Sequence, residues 1–242
     1  MIQAVCFDLD NTLQDLDTAF DKALAEAMGC VCAEFGVTVG VIGEALHRTW
    51  PPLWDEFMAG RRTEPTLYPE WFRRALNDVG MHLSESRRHR IVQDYSDAFD
   101  HHLLLYPDVP PTLRKLQEAS HPAFRMAILT NGPGPRQRQR IRALGLNRYI
   151  DTWIISEELA VGKPDPGFFH HALRQLDVLP QQAVMIGDTY ETDIAGASAV
   201  GMRAIWLNRS GSPPSTKHPP VPTVSNLMQA IDLIAAWNAF PP

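Results

Sequence analysis

Short apolar runs rich in β-branched residues open the chain and recur through its second half. They are Ile2-Gln3-Ala4-Val5-Cys6-Phe7 and then residues 124–129, 152–155, 183–187 and 203–207. Such runs predict strands buried on both faces. Between them, residues 111–119, 134–144, 167–177 and 190–200 have helical patterning. Pro111, Pro135 and Pro166 stand near the predicted starts, where a missing backbone N–H costs least. This alternation predicts an α/β fold with a mainly parallel sheet. A final helix at 225–238 presents Leu227, Ile231 and Ile234 on one side. Before it, the stretch from Gly211-Ser212-Pro213-Pro214 to Pro219-Pro220 reads as a surface loop.

Residues 16–100 have a different period. Phe20, Leu24 and Met28, then Phe72 and Leu76, then Ile91, Tyr95 and Phe99 recur at helical spacing, with no strand-like run among them. The expectation is a helical insertion in a core made of residues 1–15 and 101–242. Pro51, Pro52 and Pro69 are expected to end or start helices, giving several short ones joined by turns. The aromatics Trp50, Trp54, Phe57, Trp71 and Phe72 are read as the insertion's own core. Lys22, His47, Arg48, Arg61 and Arg62 are read as solvated cations.

Composition narrows the field modestly. Of 242 residues, 45% are hydrophobic and 21% charged, as in ordinary globular proteins, and the formal charge of −6 argues against a nucleic-acid polymer as partner. Cys6, Cys30 and Cys32 lack the spacing of a zinc site and read as reduced packing residues. Met1 leads into the first strand with no charged leader, and no apolar run approaches the roughly 20 residues that span a bilayer. The expectation is a cytoplasmic protein without a membrane partner, monomeric or homodimeric.

The chemistry sits at strand ends. Asp8-Leu9-Asp10-Asn11-Thr12 follows the first strand, and in open α/β sheets ligands bind at that end. Two carboxylates two residues apart on extended chain point the same way, and they repel unless a cation lies between them. A hard divalent ion with oxygen ligands answers this, and Mg2+ fits best. Thr130-Asn131-Gly132 closes another strand, where a hydroxyl and an amide serve a phosphate or a turn and helix cap equally well. Lys163-Pro164-Asp165-Pro166 fixes a lysine between prolines, and a rigidly held ammonium offsets carboxylate and phosphate charge. Gly187-Asp188 ends a fourth strand, with Asp193 on the following helical turn placed to bind a metal water or to hold Lys163.

In this order, the four elements resemble the motifs of the haloacid dehalogenase (HAD) superfamily of phosphohydrolases: Asp-x-Asp-x-Thr, then Ser/Thr, then Lys, then Gly-Asp with a further acid. The resemblance covers nearly the whole chain, with the helical insertion matching a cap between the first two motifs and re-entry near Tyr106-Pro107-Asp108-Val109. It implies a Rossmann-like parallel sheet flanked by helices with an α-helical cap. It also implies a Mg2+-dependent phosphatase of a small-molecule phosphomonoester, a sugar phosphate or nucleotide. Asp8 would be the nucleophile that forms an aspartyl-phosphate and Asp10 the acid and then the base. Lys163 would stabilise the nucleophile, and Thr130 and Asn131 would hold the phosphoryl group. Asp8, Asp188 and the backbone carbonyl of Asp10 would ligate the metal, with Asp193 behind them. Asn11 stands where many relatives have glycine. The dehalogenating members lack an acid at the position of Asp10, because a halide leaves without a proton. The alternatives are a phosphomutase of the same fold, similar to the β-phosphoglucomutase branch, and a non-catalytic HAD-like binding protein. The Asp-Leu-Asp-Asn-Thr stretch is similar to the branch of pyrimidine nucleotidases and acylneuraminate phosphatases.

Overall fold

The computed structural model describes residues 1–118, 124–211 and 219–239. Residue 119 of the predicted helix and 212–218 of the predicted proline-rich loop lie outside the described residues. The chain divides into two compact units, one of residues 1–15 with 105–242 and one of residues 16–104.

The first unit is built on a six-stranded sheet among the described residues. Its strands are β1 (Ala4–Phe7), β2 (Arg125–Thr130), β3 (Thr152–Ile155), β4 (Ala183–Gly187), β5 (Arg203–Leu207) and β6 (Thr223–Val224). The order is β3-β2-β1-β4-β5-β6, and the pairs are parallel. The chain builds outward from β1 to one side, then crosses to β4 on the other. β1 and β4 therefore flank the point where the strand order reverses, which is where such sheets open a crevice at their carboxyl ends. The register fixes what meets there: Phe7 lies opposite Ile128 of β2 and Ile186 of β4, so the residues after β1, β2 and β4 converge.

Ten α-helices are described: α1 (Leu16–Phe35), α2 (Val39–Met58), α3 (Glu64–Asp78) and α4 (Glu85–His102) in the second unit, then α5 (Val109–Glu118), α6 (Gly134–Ala143), α7 (Ser156–Leu159), α8 (Pro166–Leu176), α9 (Gly196–Ala199) and α10 (Leu227–Ala239) in the first. Alternate residues of β1 feed two cores. Val5 and Phe7 pack with α5, α6 and α10 through Leu113, Ile141 and Ile231, whereas Ala4 and Cys6 pack with α8 and α9 through Phe168, Phe169 and Ala197. No single helix among the described residues is long and apolar enough to cross a membrane.

The structure departs from the sequence pattern in four places. α2 runs straight through Pro51 and Pro52, and α3 through Pro69, so the insertion has long helices where short ones were expected. An internal proline costs about 3 kcal/mol. Along α2, Leu46 is buried before the two prolines and Leu53 and Phe57 after them. α4 continues to His102, so residues 101–104 go with the helical unit. The predicted helix 190–200 is a π-helical turn, Tyr190–Ala195, leading into α9. β6 lies within a proline-rich stretch, and it is an edge strand of two residues, where proline is tolerated.

Candidate active site

Asp8 extends the β1–β4 ladder by one bond, its N–H donating to the Ile186 carbonyl at 2.9 Å, and its side chain is buried. Three residues on, Asn11 adopts φ 55°, a left-handed conformation open to glycine and, among other residues, most readily to asparagine. That turn sends the chain back on itself, with Leu13 and Gln14 both donating to the Leu9 carbonyl.

Lys163 is the centre of the buried charge. Its Nζ lies 2.5 Å from Asp8 Oδ1 and 2.7 Å from Asp193 Oδ1, and all three residues are at most 6% exposed. Burial works against the ammonium, yet the charges of Asp193 and Asp8 outweigh it and hold Lys163 above the usual lysine range. The lysine is delivered by its backbone. Asn131 Nδ2 donates to the Lys163 carbonyl at 2.8 Å, and the Lys163 N–H donates to Asn131 Oδ1 at 2.9 Å. Both ends of the Asn131 amide are thus spent on the lysine segment. The π-helical turn brings in Asp193, whose Oδ2 also accepts from the Thr189 N–H at 3.1 Å. Gly187 is required for that approach: a Cβ there would lie 2.3 Å from Asp193 Oδ2.

Asp188 completes the set from the end of β4. Carboxylate oxygens of Asp8, Asp188 and Asp193 lie within 4.8 Å of one another. The Asp188 carbonyl accepts from Trp206 Nε1 at 2.7 Å, which anchors the turn from the neighbouring strand. Burial, followed by the charge of Asp193, raises Asp188 to about 7. Burial likewise pushes Asp8 well above the usual carboxylate range, with Lys163 opposing and the neighbouring acids adding. Three carboxylates therefore face one ammonium, an excess of negative charge that takes up a proton or a cation. An all-oxygen donor set of this kind suits a hard divalent ion.

Asp10 and Thr130 are linked through Gln137. Asp10 accepts hydrogen bonds from the side-chain amides of Gln14 and, at 3.1 Å, Gln137, and Arg140 Nη1 lies 4.0 Å away. Gln137 Nε2 also donates to Thr130 Oγ1 at 2.9 Å. No motif or period in the sequence singles out Gln14, Gln137, Arg140 or Trp206. α6 is almost wholly polar, so its periodicity does not mark an inward face. The available signal was Ile141, one turn from Gln137 on the same side.

Residues 2–201 match the family profile of haloacid dehalogenase-like hydrolases. The chain belongs to that family. It is 33% identical to a phosphoserine phosphatase of Thermus thermophilus over 94% of this chain and 97% of that protein. It is 31% identical to a glyceraldehyde 3-phosphate phosphatase of Methanopyrus kandleri over 86% and 85%. A solved 2-haloacid dehalogenase of Pseudomonas syringae superposes with a TM-score of 0.67 at 32% identity, covering 98% of this chain and 100% of that one. The HAD-like chain thus has both phosphatases and dehalogenases among its relatives, and the fold alone does not choose between them.

Proposed function

We propose that this HAD-like hydrolase is a magnesium-dependent phosphatase of small phosphomonoesters, such as sugar phosphates or nucleotides, acting through an aspartyl-phosphate on Asp8. Asp10 carries the reading. An alkoxide leaves a phosphoryl group poorly unless protonated, whereas a halide needs no proton, and this chain holds a carboxyl group two residues beyond Asp8 with hydrogen-bond donors on both of its oxygens.

Asp8 Oδ attacks phosphorus, and the bond from phosphorus to the ester oxygen breaks as the Asp10 carboxyl gives that oxygen its proton. Asp10, now ionised, takes a proton from water as the water oxygen attacks phosphorus, releasing phosphate and restoring Asp8. Lys163 fixes the rotamer of Asp8 and keeps positive charge beside it when the carboxylate becomes an acyl phosphate. The Thr130 hydroxyl holds a phosphoryl oxygen, and Asn131 positions the Lys163 backbone. Mg2+, held by Asp8, Asp188 and the Asp10 carbonyl with Asp193 behind them, would neutralise phosphoryl charge when bound.

The test is phosphate release from a panel of phosphomonoesters with Mg2+, run beside halide release from 2-haloacids. Phosphate release that EDTA abolishes is expected. Halide release with no phosphate release from any ester overturns the reading.

A further inference from the structure

Gln14 and Gln137 are 0% and 2% exposed, and each directs its amide at a different oxygen of Asp10. Their carbonyl oxygens, Gln14 Oε1 and Gln137 Oε1, are buried without a hydrogen-bond partner among the described residues. A buried unsatisfied acceptor lowers stability, and a methionine of the same reach would fill the space without one. Packing therefore does not account for glutamine at either position. Turning the amides over would aim Oε1 at a carboxylate, so the N–H groups are the ones that face Asp10.

Gln137 does a second thing. Its Nε2 has no lone pair to offer, so Thr130 Oγ1 must accept from it across 2.9 Å, and the Thr130 hydrogen makes only a long bond of 3.4 Å to the Asn131 carbonyl, which it can exchange for a phosphoryl oxygen. The same nitrogen lies 3.3 Å from the Asn131 carbonyl, tying down the end of β2. The loop is shaped for this side chain: Gly132 sits at φ 151°, and a Cβ there would lie 2.9 Å from Gln137 Nε2.

Resting on the phosphatase reading, we infer that Gln14 and Gln137 are the positioning residues of the proton-transfer step. Together they fix the Asp10 carboxyl group toward the leaving oxygen, and Gln137 presents the Thr130 hydroxyl as a donor to the phosphoryl group. The pair acts through Asp10 and Thr130 and touches neither substrate nor metal.

The experiment compares wild type, Gln14→Met, Gln137→Met, Asp10→Asn and Gln14→Met/Asp10→Asn. The substrates are an alkyl phosphomonoester from the panel and p-nitrophenyl phosphate, whose leaving group departs without a proton, and urea melts verify folding. Each single glutamine variant is expected to lower kcat on the order of 10- to 100-fold with KM within about threefold. The loss in kcat/KM should be larger for the alkyl ester. Gln137→Met should lose more than Gln14→Met, because it also frees Thr130. The side-chain amide of Gln14 hydrogen-bonds to Asp10 and to no other side chain among the described residues, so adding Gln14→Met to Asp10→Asn should change turnover of p-nitrophenyl phosphate by less than about twofold. If Gln14→Met does not fold, Gln14→Leu takes its place. Equal losses on the two substrates, an undiminished effect in the Asp10→Asn background, or unaltered kcat each overturn the inference while the phosphatase reading stands. A wild type that hydrolyses no ester removes both.

Discussion

In the helical unit, Glu56 and Glu70 meet Arg62, Arg73 and Arg74 at 2.6 to 3.3 Å on partly exposed helix faces, and Trp71, Phe72 and Tyr95 fill the interior. In the sheet unit the arrangement is inverted, with Lys163, Asp8 and Asp193 shut inside at the strand ends beside an otherwise apolar core. Exposed pairs of the first kind contribute up to about 1 kcal/mol each, whereas buried charge costs several kcal/mol of desolvation that only close partners offset. A chain carries the second kind where chemistry requires it. Substitutions of the nucleophile and its buried partners should therefore read out first in turnover, and those in the helical unit in stability.

The largest effect expected is on Asp8→Asn, which removes the nucleophile and should lower phosphate release by about 10^4-fold or more with the circular dichroism spectrum unchanged. Near-wild-type turnover would break the comparison at its strongest point. In the helical unit, Phe72 is fully buried, and Phe72→Ala should cost about 3–5 kcal/mol in urea unfolding. A loss below about 1 kcal/mol would mean that the aromatic interior is not what holds the unit together.

The pH dependence of the sheet unit follows from Asp188. Its folded value of about 7 lies above that of an unfolded carboxylate, so the native state keeps a proton that the unfolded chain has released. That contribution is complete below about pH 4 and is lost as pH rises through about 7. In EDTA, wild-type stability should fall between pH 5 and 8 relative to Asp188→Asn, and saturating Mg2+ should remove the slope. The Glu70 carboxyl, held near 2 by its Arg73 hydrogen bond, contributes the opposite slope only in more acidic solution. Parallel profiles for the two proteins in EDTA would count against the buried-charge account. The smallest effect is expected at the helical unit's surface, where the Arg48–Asp78 pair is 56% and 42% exposed. Arg48→Ala should change stability by no more than about 1 kcal/mol and lose even that at high salt.

The amino-acid order by itself determined the sheet, the helical insertion and the motif residues. Strand and helix periods are local, each of Asp8, Thr130 and Asp188 directly follows or ends a segment whose period is plain, and Lys163 is marked by the prolines around it. Tertiary structure alone decided which polar residues turn inward. Gln137 in a polar helix looks like its exposed neighbours, and no local pattern marks the Asn131 amide as bonded to the Lys163 backbone. It also carried α2 through two prolines, with Leu46 buried before them and Leu53 and Phe57 after. Such choices depend on partners more than 30 residues away in Asn131–Lys163 and more than 120 away in Gln137–Asp10, and no local pattern encodes them.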